Sequence, residues 1–432
     1  MFKDFDRIYK SKIRIKIKGP YLAASLIMIV MPVYHWYLPP FMILWIILLL
    51  VGVATGTALL KNINPLHKFL FLLFILFYLW QICGMLYSDN PREGWRNIEL
   101  HLSLLIFPIV MLFPGEMIRN KVSELLKIFS LSTFAFILFC FAFALYRSLS
   151  ICNGNLVFNP YLPEYTWLNY FYALEFAIFQ HPSYLSMFTL LSFYIALENV
   201  FGISGTKKYL YLWLIISVIL MMSVYFLSSR AGILAAILTL PVYLYLKFRQ
   251  IGKVTHFWVS ILLMTLIFVP IVLTNPRVNN YQDWREKHKN NQSEVSNDRM
   301  IIWNAVSTIL GQNLILGVGT GDIQDELNNK FRSKGHTKLA EVNTNTHNQY
   351  LEILIENGLI GLIIFLSMIV MMLYIAYKGR NILYLMFLLI VVISFLFETM
   401  INRLAGVSFF SLFSFMLIIA ECKNCNVPTD EK

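Results

Sequence analysis

The chain has 432 residues, of which 58% are hydrophobic and only 14% charged. That ratio excludes an ordinary water-soluble globular domain. The formal net charge of +11 calls for no nucleic acid, because the basic residues gather in short stretches between apolar runs, where they meet anionic lipid headgroups.

The N-terminal 20 residues are rich in Lys and Arg, and the first apolar run, 21–38, follows them. No small-residue cleavage site comes after Leu38, and Pro39-Pro40 leads directly into another apolar run, so the segment reads as an uncleaved first helix. Twelve such runs are expected to cross the bilayer: 21–38, 41–60, 66–86, 98–114, 126–146, 183–200, 208–227, 231–247, 255–273, 350–377, 381–398 and 404–421. Most approach the ~20 residues that span about 30 Å of hydrocarbon. The fold class expected is therefore an all-α integral membrane protein, one polytopic domain over 1–432. Lys and Arg concentrate at 1–20, 61–68, 115–127, 201–208 and 247–253. By the positive-inside rule these segments face the cytoplasm, both termini are cytoplasmic, and 274–348 is the large loop on the outer side, between spans nine and ten.

Two outer segments exceed turn length. The first, 147–182, carries Phe158, Tyr161, Tyr165, Trp167 and Tyr170 among prolines, a composition suited to the membrane–water interface. The second, 274–348, holds nine Lys/Arg against eight Asp/Glu. Being nearly neutral, it can bind an anion only at particular positions. Within it, Asn290-Asn291-Gln292-Ser293 reads as a polar link, and Ser296, Asn297 and Asp298 are good N-caps. Ile302, Val306 and Ile309 then recur at helical spacing, which predicts an amphipathic helix over 299–310 that Gly311 ends. The glycine turn 317–321 lacks the Lys-Ser/Thr pair of a nucleotide loop and reads as a connector. A second amphipathic stretch is expected over 322–332.

Chemistry-bearing residues are few. Arg230, in Ser228-Ser229-Arg230-Ala231-Gly232, is wedged between two spans with almost no loop, and a charge at such depth tends to be functional or paired. Arg299 heads the amphipathic helix, where a cation opposes the helix dipole unless an anion binds at the same end; pairing with Asp298 or reaching to lipid phosphate is the structural alternative. His347 stands where the long loop meets span ten, and its ordinary pKa suits a general base at neutral pH; a helix-capping role is the alternative. Glu352 and Glu356, one turn apart in the next helix, are candidates to orient His347 or contact a sugar, with structural capping as the equal alternative. Asn357-Gly358 and Gly361 predict a bend or close packing there. His181-Pro182-Ser183-Tyr184 opens span six at the outer face, where a structural cap is the favoured reading and a lining of a substrate cleft by Tyr184 the alternative. Glu398 and Arg403 flank the last outer turn and are expected to pair with each other. No metal-ligand constellation stands out. Cys422 and Cys425 have metal-like spacing but no second pair, so they read as reduced thiols.

Taken together, Arg230-Ala231-Gly232 at an outer membrane edge, Asp298-Arg299-Met300-Ile301-Ile302-Trp303, Gly317-Val318-Gly319-Thr320-Gly321, then His347-Asn348-Gln349-Tyr350-Leu351 with downstream Asn357-Gly358 and Gly361, resemble the O-antigen ligase/polymerase superfamily. The resemblance is best over about 180–410. It implies a GT-C-like enzyme of the bacterial inner membrane that takes a glycan from an undecaprenyl diphosphate carrier at the periplasmic face, without cofactor or metal. A ligase attaches the glycan to lipid A–core; a polymerase adds it to another carrier-linked repeat unit. Carried onto this chain, Arg230 and Arg299 would hold the diphosphate, His347 would sit nearest the reacting sugar, and Asn348, Tyr350 and Tyr184 would contact substrate. Ala231 departs from relatives that have a second glycine there. A transporter or lipid flippase is the remaining class, and the sequence shows neither the discontinuous-helix pair nor the inverted repeat common in such folds.

Overall fold

The structure is a computed structural model that describes residues 19–54, 64–112, 116–162, 169–202, 207–262 and 298–421. The basic N-terminus, the polar link at 290–293, the caps Ser296 and Asn297, most of the expected ninth span and the Cys422/Cys425 pair lie outside the described residues.

The chain is a bundle of apolar helices: α1 (Gly19–Val30), α2 (Leu38–Ala54), α3 (Pro65–Gly84), α4 (Pro91–His101), α5 (Ser103–Leu112), α6 (Glu116–Ser148), α7 (Ala173–Ala177), α8 (Pro182–Gly202), α9 (Lys207–Leu227), α10 (Arg230–Ile251) and α11 (254–262). After the undescribed stretch come α12 (Asp298–Asn313), α13 (Ile323–Ser333), α14 (Thr337–Glu341), α15 (Gln349–Lys378), α16 (Ile382–Phe395) and α17 (Leu404–Glu421). Local sequence starts many of them. Asn64 and Asn90 each cap a helix that opens on proline, Ser229 caps α10, and Asn348 and Asn381 cap α15 and α16. In each case a short polar side chain accepts from a backbone N–H left free in the first turn.

Among the described residues, seven helices are long and apolar enough to cross a membrane, with three shorter apolar helices beside them. The chain is thus a multi-pass membrane protein. The expected span 98–114 is instead two short helices, α4 and α5, that meet at Leu102, and α5 carries Pro108 inside it. Neither has the ~20 residues a crossing needs. Helix α8 is the axis of the bundle. Its residues from Pro182 through Ala196 are all buried, and Phe188 meets Phe409 of α17 with ring centroids at 4.8 Å. The outer helices turn apolar residues outward instead, as in α9, where Leu212, Ile215, Val218 and Met222 are exposed. Apolar residues on both faces are what a helix between protein and lipid requires.

A second, smaller core sits over one end of the bundle. Ile302, Ala305, Val306 and Ile309 of α12 pack with Val318, with Ile323, Leu327 and Phe331 of α13, and with Ile355 of α15. Gly311 does not end α12, which runs on to Asn313. An exposed glycine in the last turn costs too little to stop a helix held by packing.

Two features depart from a plain helical bundle. Residues 149–158 form an antiparallel hairpin, β1 (Leu149–Cys152) and β2 (Asn155–Phe158). Its turn is Asn153-Gly154, both with positive φ (52° and 76°), the combination that two-residue hairpins select. Secondly, α15 is broken at Gly358, whose φ of 66° and ψ of −169° are not helical. The backbone groups freed by the break are taken up by the glycine turn. Val318 N donates to Ile355 O (2.8 Å), Gly319 N to Glu356 O (3.1 Å), and Leu359 N to Leu314 O (2.9 Å). The connector role expected for 317–321 is therefore incomplete: the segment heals a discontinuous helix. From 359 to Lys378 the helix is long enough by itself for roughly 30 Å of hydrocarbon, which leaves 349–357 as a separate half-helix.

Candidate functional site

Four segments meet at the end of the bundle under the small core: the α9–α10 turn with Arg230, the first turn of α12 with Arg299, the stretch 343–348 with His347, and the α16–α17 loop, 396–403, with Glu398.

Arg230 begins α10 and is exposed. Before it, Ser228 has a φ of 49° and Ser229 accepts from Gly232 N at 3.2 Å. A close approach falls on Gly232, where a Cβ would stand 2.5 Å from Ser186 Oγ. Ala231 is simply buried. Arg299 is half-buried. Its Nη2 donates to Phe397 O at 3.3 Å, and its guanidinium lies 5.9 Å from the centre of the Phe397 ring. Burial, then the like charge of Arg230, push the Arg299 pKa down, against the pull of Glu398. The two arginines, 69 positions apart in sequence, therefore lie near enough for the charge of Arg230 to act on Arg299.

His347 stands in the left-handed region, φ 50°, an uncommon conformation that costs about 1–3 kcal/mol and persists only where neighbours hold it. The neighbours are identifiable. His347 N donates to Asn345 Oδ1 (3.0 Å), and Asn345 Nδ2 donates to Thr399 Oγ1 (2.8 Å). The result sets His347 Nδ1 3.3 Å from Glu398 Oε2. The imidazole side chain remains 37% exposed, and no described residue bonds its Nε2. A carboxylate at Nδ1 favours the proton there and leaves Nε2 as the acceptor. Burial raises the Glu398 pKa, but the hydrogen bond and charge of His347, followed by the charges of His181 and Arg299, outweigh it and hold the carboxyl below its ordinary range. Arg299, His181 and His347 thus act on this one carboxylate, with Arg230 acting on Arg299, and two guanidiniums against a single carboxylate suit an anion.

The carboxylate beside His347 is Glu398, and Glu352 takes the structural role that was its alternative. Glu352 is buried and holds the two site loops together: Oε2 accepts from Thr346 Oγ1 (2.6 Å) and Thr346 N (3.2 Å), and Oε1 from Asn402 Nδ2 (3.3 Å). Gln349 reinforces it, accepting from Ile401 N at 2.7 Å. Glu356 is buried in the half-helix, and among the described residues its Oε1 finds no hydrogen-bond partner. Among the described residues Glu398 makes its ion pair with His347, not with Arg403. The sequence signal for Glu398 was an acidic residue in a short loop between apolar helices, which pairing with Arg403 explained too easily.

The other anticipated contacts are placed differently. Asn348 Oδ1 accepts from Tyr350 N (2.9 Å) and Leu351 N (3.1 Å), so its oxygen serves as the α15 cap. The Tyr350 hydroxyl donates to Val392 O at 3.2 Å, tying α15 to α16. Tyr184 lies in the wall of the site, its ring 6.0 Å from that of His181 and close enough to Gly406 that a Cβ there would stand 2.9 Å from its Cε1. Of the residues expected at the site, Arg230, Arg299 and His347 converge; Asn348 and Tyr350 shape the turn that presents His347. Among the described residues, no group of three or more His, Cys, Asp or Glu could hold a metal ion.

Residues 215–366 match the family model described as O-Antigen ligase (Wzy_C). The matched segment runs from within α9 to the middle of α15, so it contains Arg230, Arg299 and His347 but neither Tyr184 nor Glu398. No curated protein matches the chain.

Proposed function

Taking the chain as a member of the O-antigen ligase-like superfamily, we propose that it moves a glycan from undecaprenyl diphosphate onto lipid A–core, or a similar glycan acceptor, at the periplasmic face of the inner membrane. The observation that carries this reading is the meeting of His347 and Glu398 beside Arg299 and Arg230. In the reaction the acceptor hydroxyl attacks the anomeric carbon, and the bond from that carbon to the diphosphate oxygen breaks with its electron pair going to the diphosphate. The growing charge falls to Arg230 and Arg299, whose forked donors match phosphate oxygens. Loss of one such donor typically costs roughly 3–4 kcal/mol of transition-state stabilisation. The hydroxyl proton goes to His347 Nε2, while Glu398 fixes the ring and stabilises the imidazolium; a base in this role typically adds about 10²–10⁴-fold. The arginines supply the charge neutralisation that a divalent ion supplies in other transferases, so the transfer is metal-independent. Tyr184 forms the wall against which the sugar lies. This reading carries with it a GT-C-like arrangement of about twelve spans, both termini in the cytoplasm, and 274–348 in the periplasm.

A deletion strain tests the assignment. Loss of all polymer from lipid A, with carrier-linked polymer retained, is the result expected. Lipid A bearing one repeat unit would identify a polymerase, which uses the same chemistry on a second carrier-linked acceptor. Unchanged glycan transfer in both compartments would overturn the reading.

A further inference from the structure

The hairpin after α6 has a face that the described chain covers only at its base, where the Phe158 ring lies 6.4 Å from that of Phe171. Its register pairs Leu149 with Phe158 and Ile151 with Leu156. Residues opposite one another in an antiparallel pair share a face, so these four make one apolar face, with Ser150, Asn155 and Val157 on the other. Ile151 is 78% exposed, Leu156 70%, Phe158 55% and Leu149 39%. A two-stranded hairpin is marginal in water even without such a face.

Helix α6 indicates what covers it. Between Lys127 and Arg147 the helix carries no charge, a length of roughly 29 Å at 1.5 Å per residue, against about 30 Å for the hydrocarbon core. Leu131, Leu138, Phe139, Leu145 and Tyr146 along it are exposed, as lipid-facing residues are. Arg147 therefore marks the headgroup level. There it pairs with Glu175 at 3.0 Å and lies 4.4 Å from the centre of the Tyr170 ring. The hairpin starts two residues later, and Asn159 N closes it onto Ser148 O at 2.8 Å. Its four-residue strands extend about 13 Å. An apolar sheet face that leaves a lipid-facing helix at the headgroup level is continuous with the lipid-facing surface. The open strand edges, whose backbone groups need water or headgroups, keep it out of the hydrocarbon interior.

We propose that the hairpin lies flat on the bilayer at the site end of the bundle, with Leu149, Ile151, Leu156 and Phe158 against the acyl chains and Ser150 and Asn155 toward water. It is a lipid-binding paddle. Its burial depth is then about 5–10 Å below the headgroups, as for other interfacial amphipathic elements.

The test uses the full chain in nanodiscs. In a background lacking native cysteines, single variants Ile151→Cys, Leu156→Cys, Ser150→Cys and Asn155→Cys carry an environment-sensitive fluorophore, quenched either by lipid with a nitroxide high on the acyl chain or by aqueous iodide. Labels at 151 and 156 should be quenched several-fold more by the lipid than labels at 150 and 155, and the iodide order should reverse. Equal iodide quenching on both faces would overturn the proposal. So would protection from both quenchers with disulfide crosslinking of Ile151→Cys between two chains, which would make the face an interface between copies. Should the cysteine-free background fail to fold, the wild-type chain with a diazirine-bearing acyl lipid decides. Photo-adducts within 149–158 are expected, and their absence would defeat the proposal.

Discussion

Substituting alanine at Gly358 perturbs the device on which the site depends. The added Cβ would stand 2.1 Å from Ile315 O and 2.5 Å from Leu316 C, both backbone atoms that cannot turn aside. The backbone at 358, φ 66° and ψ −169°, lies in a region that L-residues rarely adopt, which costs about 1–3 kcal/mol. Moving the 314–319 segment to admit the methyl adds about 1–3 kcal/mol of overpacking, for a total of about 2–6 kcal/mol. The chain can escape part of this by making α15 continuous, but the half-helix 349–357 then rotates and draws His347 away from Glu398. Gly358→Ala should therefore lower unfolding stability in detergent and reduce glycan transfer more than the loss of folded protein explains. Gly311→Ala is the control: no atom lies within 4 Å of its Cβ position, and in a helix the change should stabilise by roughly 0.5–1 kcal/mol. Wild-type unfolding and full transfer in Gly358→Ala would refute the claim that the break positions the site.

Glu398→Gln keeps a hydrogen-bond partner for His347 but removes the charge, and turnover should fall at least about tenfold with donor binding little changed, as read by single-turnover kinetics. Because the Glu398 carboxyl is held below its ordinary range, its contribution is present above the ordinary carboxylate pKa and is lost only as pH falls through the lowered value; circular dichroism melts from pH 7 to about 5 should show no loss of stability assignable to Glu398. Arg230→Ala and Arg299→Ala should each nearly abolish transfer at unchanged protein level, and lysine at either position should restore it only in part because it lacks the fork; full activity in either alanine variant removes that residue from the diphosphate clamp. Ser333→Cys, exposed at the end of α13, should react with an impermeant maleimide in cells whose outer membrane alone is permeabilised, and labelling only after inner-membrane lysis would invert the topology.

The membrane class, most helix starts and three residues of the candidate site were legible in the sequence. Hydropathy, an Asn or Ser before a helix, and a charge placed at a span edge are local properties that a chain carries wherever it packs. Ile302, Val306 and Ile309 declared the buried face of α12 for the same reason. The partner of His347 was not legible, because 51 positions separate it from Glu398, and only the packing of α15, α16 and α17 brings them together. Glu352, which looked equally able to orient His347, is drawn instead to Thr346 and Asn402. Asn357-Gly358 predicted a bend, but that the bend is a true discontinuity, closed by the backbone at 314–319, depends on a contact between segments some forty residues apart. Local chemistry sets which elements form and which residues are capable; which carboxylate meets which base is decided by helix packing, since hydrogen bonds and charges act only over a few ångströms and the sequence does not state who comes within that range.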